Sequence, residues 1–229
     1  MDASAGTTTQ ATTPATTEPP ATAESTTTVA PRDDATIAAA SLLTGELIGD
    51  AQFAPFNNGL DYSAGIAIEQ QIPECADKYT AEGNVWDTAM GATTGMVSDQ
   101  QLVFQTVELF ATEEAAATAL AAYTSPAGQT CSLTVDRVLA APPPATGITA
   151  ELVDVPLPAP HGDQQVSYGS QVSNAGAPMF AKHTVWVQVD RAIMQVTLVN
   201  GPTDPDPLGI LDTVLSAAVE LITAELSAG

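Results

Sequence analysis

The stretch from Gln165 to Asn200 sets the tightest limit on what this chain can fold into. Gln165 to Val172, Phe180 to Val189 and Ala192 to Asn200 alternate apolar and polar side chains, the period of pleated strands that bury one side. His183, Val185, Val187 and Val189 fall on one face, as do Met194, Val196 and Leu198. The joints, Asn174-Ala175-Gly176-Ala177 and Asp190-Arg191, are short enough for hairpins. A three-stranded antiparallel meander is therefore predicted, with an apolar face that other elements must cover.

Several segments can cover it. Asp206-Pro207 starts a helix to about Leu226, with Leu208, Leu211, Leu215, Ala218 and Ile222 as its apolar stripe. Asp33 and Asp34 precede Ala35 to Leu43, a short helix with acids at its positive end. Thr112 reads as the N-cap of an Ala-rich helix to about Tyr123, with Glu113 and Glu114 in its first turn. Its inner face is Ala116, Ala119, Leu120 and Tyr123, and Ser125-Pro126-Ala127-Gly128 ends it. Val85 to Thr93 and Gln101 to Phe110 read as a β-hairpin turning at Val97 to Gln100. Cys131 to Leu139 reads as a strand from the alternation of Leu133 and Val135, and Ile148 to Val155 as another. Gly45 to Tyr62 is loop with a helical turn at Glu46 to Ile48. Ile66 and Ile68 mark a short edge strand, and Pro73 to Tyr79 a turn or short helix that places Cys75. The economical packing is α+β: a single two-layer domain, mainly antiparallel sheet packed on two or three helices.

Residues 1–32 are different in kind. Thr7-Thr8-Thr9, Thr12-Thr13-Pro14 and Thr16-Thr17-Glu18-Pro19-Pro20 offer nothing apolar to bury and cannot offset the entropy of ordering. They read as a disordered Thr/Pro-rich tether, of the composition that carries O-linked sugar in exported proteins or serves as a bare spacer. Residues 33–229 are the folded domain.

Charge and cysteines narrow the setting. Five basic residues stand against 27 acidic ones, a net charge of −22, so the chain repels nucleic acid and anionic membrane surfaces. No apolar run approaches the roughly 18 residues of a membrane helix. Met1 followed by Asp-Ala-Ser-Ala-Gly reads as a start placed on a mature exported protein. The expectation is that a secretory signal or lipid-attachment Cys has been removed, and that any membrane attachment is through that removed N-terminal anchor. Cys75 and Cys131, far apart and without CxxC spacing, read as one long-range disulfide; the alternative is two unrelated buried thiols. A bridge suits an extracytoplasmic, oxidising compartment.

The order of these features resembles a family. A Thr/Pro-rich stalk leads to an Ala-rich opening helix that ends Ser41-Leu42-Leu43-Thr44. Pro73-Glu74-Cys75 is followed about ten residues on by Val85-Trp86. The strand Val103 to Phe110 runs into Ala-Thr-Glu-Glu-Ala-Ala-Ala and then Cys131. Pro156-Leu157-Pro158 precedes His161-Gly162-Asp163 before the last three strands, and an amphipathic helix closes the chain. Residues 36 to 227 resemble the extracytoplasmic sensor domain of mycobacterial receptor Ser/Thr kinases and related actinobacterial secreted and lipid-anchored proteins. The resemblance implies an exported α+β domain with a concave groove on its sheet that binds a ligand or envelope component. Members of this type usually carry a second disulfide, and this chain has a single cysteine pair.

Catalytic signals are sparse. There is no Gly-x-Ser-x-Gly elbow, and bridged cysteines are not nucleophiles. His161 lies in a Pro/Gly-rich loop beside Asp163, where a solvated turn is favoured over a His/Asp site. His183 reads as a sheet residue lining a core or groove. No His-x-x-x-His, HExxH or Cys/His cluster points to a metal. Asp204-Pro205-Asp206 lacks the Gly and distal Glu of a calcium loop and reads as a helix cap. The chain is expected to be no enzyme and to use no cofactor. Trp86 with Met90, Gln105 with Val103 and Val107, and Tyr168 with Val166 and Val172 put polar-capable side chains on apolar strand faces. Trp86, Gln105, Tyr168 and His183 are therefore the candidate contacts of a groove. The ligand would be a small molecule, lipid or glycan, and the alternative role is a structural or accessory subunit docking onto an envelope protein or membrane complex.

Overall fold

The computed structural model describes residues 32–44, 53–56, 69–76, 86, 89–97, 101–140, 146–157, 159–201 and 207–228. The chain divides into two units, Met1–Ala30 and Pro31–Gly229. The tether expected over 1–32 lies, except for Arg32, outside the described residues. So do the expected turn at Glu46 to Ile48, the strand at Ile66 and Ile68, and Asp204 to Asp206.

In chain order the second unit contains α1 (Asp34–Ala40), β1 (Ala54–Pro55), a 3-10 turn (Pro73–Cys75), β2 (Met90–Val97) and β3 (Gln101–Leu109). Then come α2 (Glu113–Thr124), α3 (Pro126–Ala140), β4 (Ile148–Val153), β5 (Gln164–Asn174), β6 (Ala177–Val189), β7 (Ala192–Asn200) and α4 (Pro207–Ser227). The strands make one antiparallel sheet in the order β1-β2-β3-β7-β6-β5-β4. The predicted meander is its centre. Ala175 and Gly176 both have positive φ, 49° and 82°, as a tight hairpin turn requires if its twist is to match the flanking strands.

Helix starts follow the local chemistry. Asp33 Oδ1 accepts from Thr36 N at 2.8 Å, which pulls its carboxyl below the usual range. Thr112 Oγ1 accepts from Ala115 N at 3.1 Å and starts α2 where expected, with Ala116, Ala119, Leu120 and Tyr123 buried. The hairpin of β2 and β3 is also present, though its first strand begins later than expected, at Met90.

One element differs in kind. Cys131 to Leu139 is part of helix α3, not a strand. Ser125 ends α2 through its own N–H, which bonds Ala121 O, and its Oγ accepts from Gly128 N at 3.0 Å to start the next helix. Pro126 suits the first helical position, where no donor is needed. Gly128, Cys131 and Thr134 face inward at helical spacing, so the Leu133/Val135 alternation was a coincidence of a 3.6-residue period.

The α+β domain has its sheet covered on both faces, three layers where two were expected, because the middle helices bury a second apolar face. On the first face Val107, Val185, Val187, Met194, Val196 and Leu198 pack against Ile37 of α1 and Leu211, Leu215, Ala218 and Ile222 of α4. On the second face α2 and α3 lie over Trp186, Ile193 and Tyr168. Arg191, in the β6–β7 turn, ties the first helix to the sheet with two bonds to Asp34 of 2.6 and 2.8 Å and a third to Phe110 O. Arg32 pairs with Glu225 of α4. The described helices include none long and apolar enough to cross a membrane.

Candidate functional site

The predicted bridge is formed: Cys75 is bonded to Cys131, 56 positions away. It pins the 3-10 turn to the first half of α3. Backbone bonds from Ile72 N to Glu69 O and from Cys75 N to Ile72 O make Glu69–Cys75 one continuous hydrogen-bonded stretch. The disulfide therefore positions Glu69 as well.

Beside the bridge lies a cavity of about 40 Å³ between α3, the Glu69 stretch and strands β5 to β7. Its walls include Tyr123, Tyr168 and Trp186. The ring centres of Tyr123 and Trp186 are 5.4 Å apart, stacked, and those of Tyr168 and Trp186 are 4.7 Å apart. Polar groups enter from Ser132, Lys182 and Gln195. Lys182 Nζ bonds Asp136 Oδ1 at 2.8 Å and Ser132 Oγ at 3.4 Å. Asp136 is almost fully buried, and its second oxygen accepts from Ser170 at 2.5 Å. That pairing satisfies a carboxylate that burial would otherwise make costly. Gln195 Oε1 accepts from Trp186 Nε1 at 3.1 Å and its Nε2 donates to Thr197 at 3.1 Å. Burial pushes the Tyr168 phenol well above its ordinary pKa; a bond from Ser132 opposes this, and the carboxylates of Asp136 and Glu69 add to it. Tyr168 is thus a neutral hydroxyl at any working pH. Behind the cavity Tyr123 donates to the buried carboxylate of Glu108, 2.8 and 3.0 Å from its two oxygens.

The four groove residues expected from sequence do not converge. Tyr168 lines the cavity. Trp86 belongs to the same face but to no strand; it sits in a turn before β2 and meets Tyr123 edge-on at 5.9 Å, while Met90 is exposed. The β2–β3 register, from Met90 opposite Leu109 to Val97 opposite Leu102, leaves no room for Trp86 in the ladder. Gln105 and His183 stand opposite Val196 and Leu198 and so belong to the other face. Gln105 is fully buried there and accepts from Leu43 N at 2.6 Å while donating to Ser41 O at 3.0 Å, which clamps the end of α1 to the sheet. A single groove cannot take all four.

His161 is not in a solvated turn. Its side chain is only 10% exposed and its Nε2 lies 2.9 Å from Asp212 of α4. Asp163 instead accepts from Asp190 N at 2.7 Å. The pair ties the approach to β5 to α4.

Sequence reasoning missed Ser132, Lys182, Trp186 and Gln195. Three of them follow from the meander alone: Lys182 and Trp186 alternate with His183, Val185 and Val187, and Gln195 with Met194 and Val196, so each points to the opposite face. Ser132 required α3 to be read as a helix.

No protein-family model and no curated protein matches the sequence. Among solved structures the chain is similar to the extracellular domain of PknH from Mycobacterium tuberculosis, with 14% identity, a TM-score of 0.46, and coverage of 85% of this chain and 98% of that one. It is also similar to an uncharacterised protein from Mycobacterium smegmatis, the Rv0999 ortholog, with 14% identity, a TM-score of 0.34, and coverage of 82% and 96%. Similarity of this order carries no ligand or activity across.

Proposed function

We propose that residues 33–229 are a non-catalytic, extracytoplasmic ligand-binding or sensor-like module of a cell envelope, carried on a tether formed by residues 1–32. The observation that supports it is the cavity on the second face. Aromatic walls with a few convergent polar groups are the makings of a recognition site. At about 40 Å³ it takes one small group and not a whole ligand; sites that engulf a ligand run to roughly 300 Å³ or more. The rest of the ligand would lie on the adjoining surface.

The same geometry argues against hydrolysis by Ser132. A serine–lysine pair needs a neutral amine as base. Lys182 is ion-paired with Asp136 and, as an ammonium, has no lone pair to accept the serine proton. The disulfide supports the compartment.

The test is a titration of the purified protein with neutral saccharides, short peptide amides and phospholipid micelles, read by the Trp186 indole NMR resonance. At least one class should move it, and Ser132→Phe, which fills the cavity, should abolish the shift. No response from any class would overturn the reading. A second reading, an accessory subunit docking on an envelope protein, is favoured by Leu139 at the end of α3 and Leu152 on edge strand β4, which are 65% and 45% exposed. A photocrosslinker at position 152 that captures a defined protein in cells would support it.

A further inference from the structure

Three of the side chains that line the cavity keep hydrogen-bonding capacity. Lys182 has three N–H bonds, of which Asp136 and Ser132 take two. Gln195 Nε2 has two, of which Thr197 takes one. Tyr168 directs its hydroxyl hydrogen at Tyr123 O, 3.5 Å away, and its oxygen receives the bond from Ser132, which leaves one lone pair. Three side chains lining one small space thus offer two donors and one acceptor.

A hydroxyl group is the complement: its oxygen accepts twice and its hydrogen is donated once. A carbonyl has no hydrogen for Tyr168. An ammonium has no lone pair for the donors of Lys182 and Gln195. A carboxylate would face Glu69 and Asp136 on a chain of net charge −22. The sheet beside the cavity extends the preference. Gln195, Thr106 and Thr93 form one cross-strand row, all half-buried, with the two threonine hydroxyls 3.1 Å apart. Such a row suits a ligand with hydroxyls along its length and gives an alkyl chain little to bury against.

We propose that the cavity is the subsite for a hydroxyl-bearing substituent of a neutral saccharide. Lys182 and Gln195 donate to the substituent's oxygen, Tyr168 accepts from it, and the Tyr123, Tyr168 and Trp186 rings pack on its carbon. Thr106 and Thr93 meet further hydroxyls of the same molecule. The assignment rests on the ligand-binding reading and narrows it to one chemistry.

The experiment is the same indole-detected titration with glucose, N-acetylglucosamine and their disaccharides. Glucuronate and glucosamine serve as charged counterparts, beside the peptide amide and micelle. Neutral sugars should shift the Trp186 resonance at lower concentration than either charged analogue. Gln195→Glu keeps the acceptor for Trp186 and removes the donor, and should weaken binding about tenfold, the worth of one good hydrogen bond. Tyr168→Phe keeps the ring, removes the acceptor and should also weaken binding; it covers the case in which the Gln195 variant does not fold. Tighter binding of glucuronate or glucosamine, or unchanged sugar affinity in the folded variants, would overturn the proposal. A response to the peptide or micelle and to no sugar would sink the saccharide assignment and leave the ligand-binding reading standing. Silence from every probe would remove both.

Discussion

The two faces of the sheet are each covered by two helices, yet they are built from different materials. Under α1 and α4 the contact is almost wholly aliphatic: valines, leucines and methionines from β3, β6 and β7 against Leu211, Leu215 and Ile222. Gln105 is a fully buried polar member of this face, and its amide is used at both ends by backbone. Under α2 and α3 the contact is aromatic and polar, with a buried ion pair, a tyrosine–carboxylate pair and a covalent bridge. Aliphatic burial is non-directional and stabilises in proportion to the apolar area removed from water. Buried polar groups contribute little net energy but fix geometry. The first face therefore rests on buried area, and the second on directed contacts that set a shape.

That contrast can be broken experimentally. Replacing both Cys75 and Cys131 by Ser should cost about 4 kcal/mol on the chain-entropy account of a loop this long. Denaturant titration gives the magnitude. Amide exchange gives the location: α3 should lose protection more than α4, and equal loss in both would dissolve the distinction. Leu215→Ala should cost about 3 kcal/mol, the usual result for a leucine deleted from a tight core, and should leave the Trp186 indole resonance in place. A moved indole would mean that the faces are not independent. Gln105→Leu strands the Leu43 N–H and the Ser41 carbonyl in the core, and should cost about 2 kcal/mol or more. Thermal melting measures it, and no change would show that α1 docks by its apolar side alone. The smallest effect is electrostatic. The hydrogen bonds and charge of Arg191 hold the Asp34 carboxyl below its usual 3.8, against a smaller effect of burial. A depressed carboxylate stabilises the fold above its unfolded value, and that contribution disappears as pH falls through the folded value. Asp34→Asn should therefore flatten the acid limb of a stability–pH curve and leave the neutral region lowered.

Most of the first face was legible in the sequence. Period-two strands, the cap at Asp33 and the Leu211-Leu215-Ala218-Ile222 stripe are local signals, and each element formed where its chemistry starts it. The second face was legible only in part. Cys75–Cys131 was readable from cysteine count and spacing. Helix α3 was not, because Leu133 and Val135 mimic a strand and the capping role of Ser125 is shared with the end of α2. Of the expected groove residues, Tyr168 lines the cavity. Trp86 lost its strand once the hairpin register was set by β3. Gln105 and His183 were assigned to apolar strand faces correctly, but parity within a strand does not say which of two covered faces a residue joins.

The strand order has a kinetic consequence. β1, β2 and β3 are neighbours in sequence and in the sheet, and so are β4, β5, β6 and β7. The strand pairing of greatest sequence separation is the seam where Gln101 meets Asn200 and Leu109 meets Ala192. The β2–β3 hairpin and the β4 to β7 array can form early, since short loops close at small entropic cost. Joining them at the seam brings together segments from the two halves of the chain and completes the aliphatic core in the same event. Substitutions in the β5–β6 turn should then alter the folding rate, while those along the β3–β7 seam should mainly alter how fast the native state comes apart.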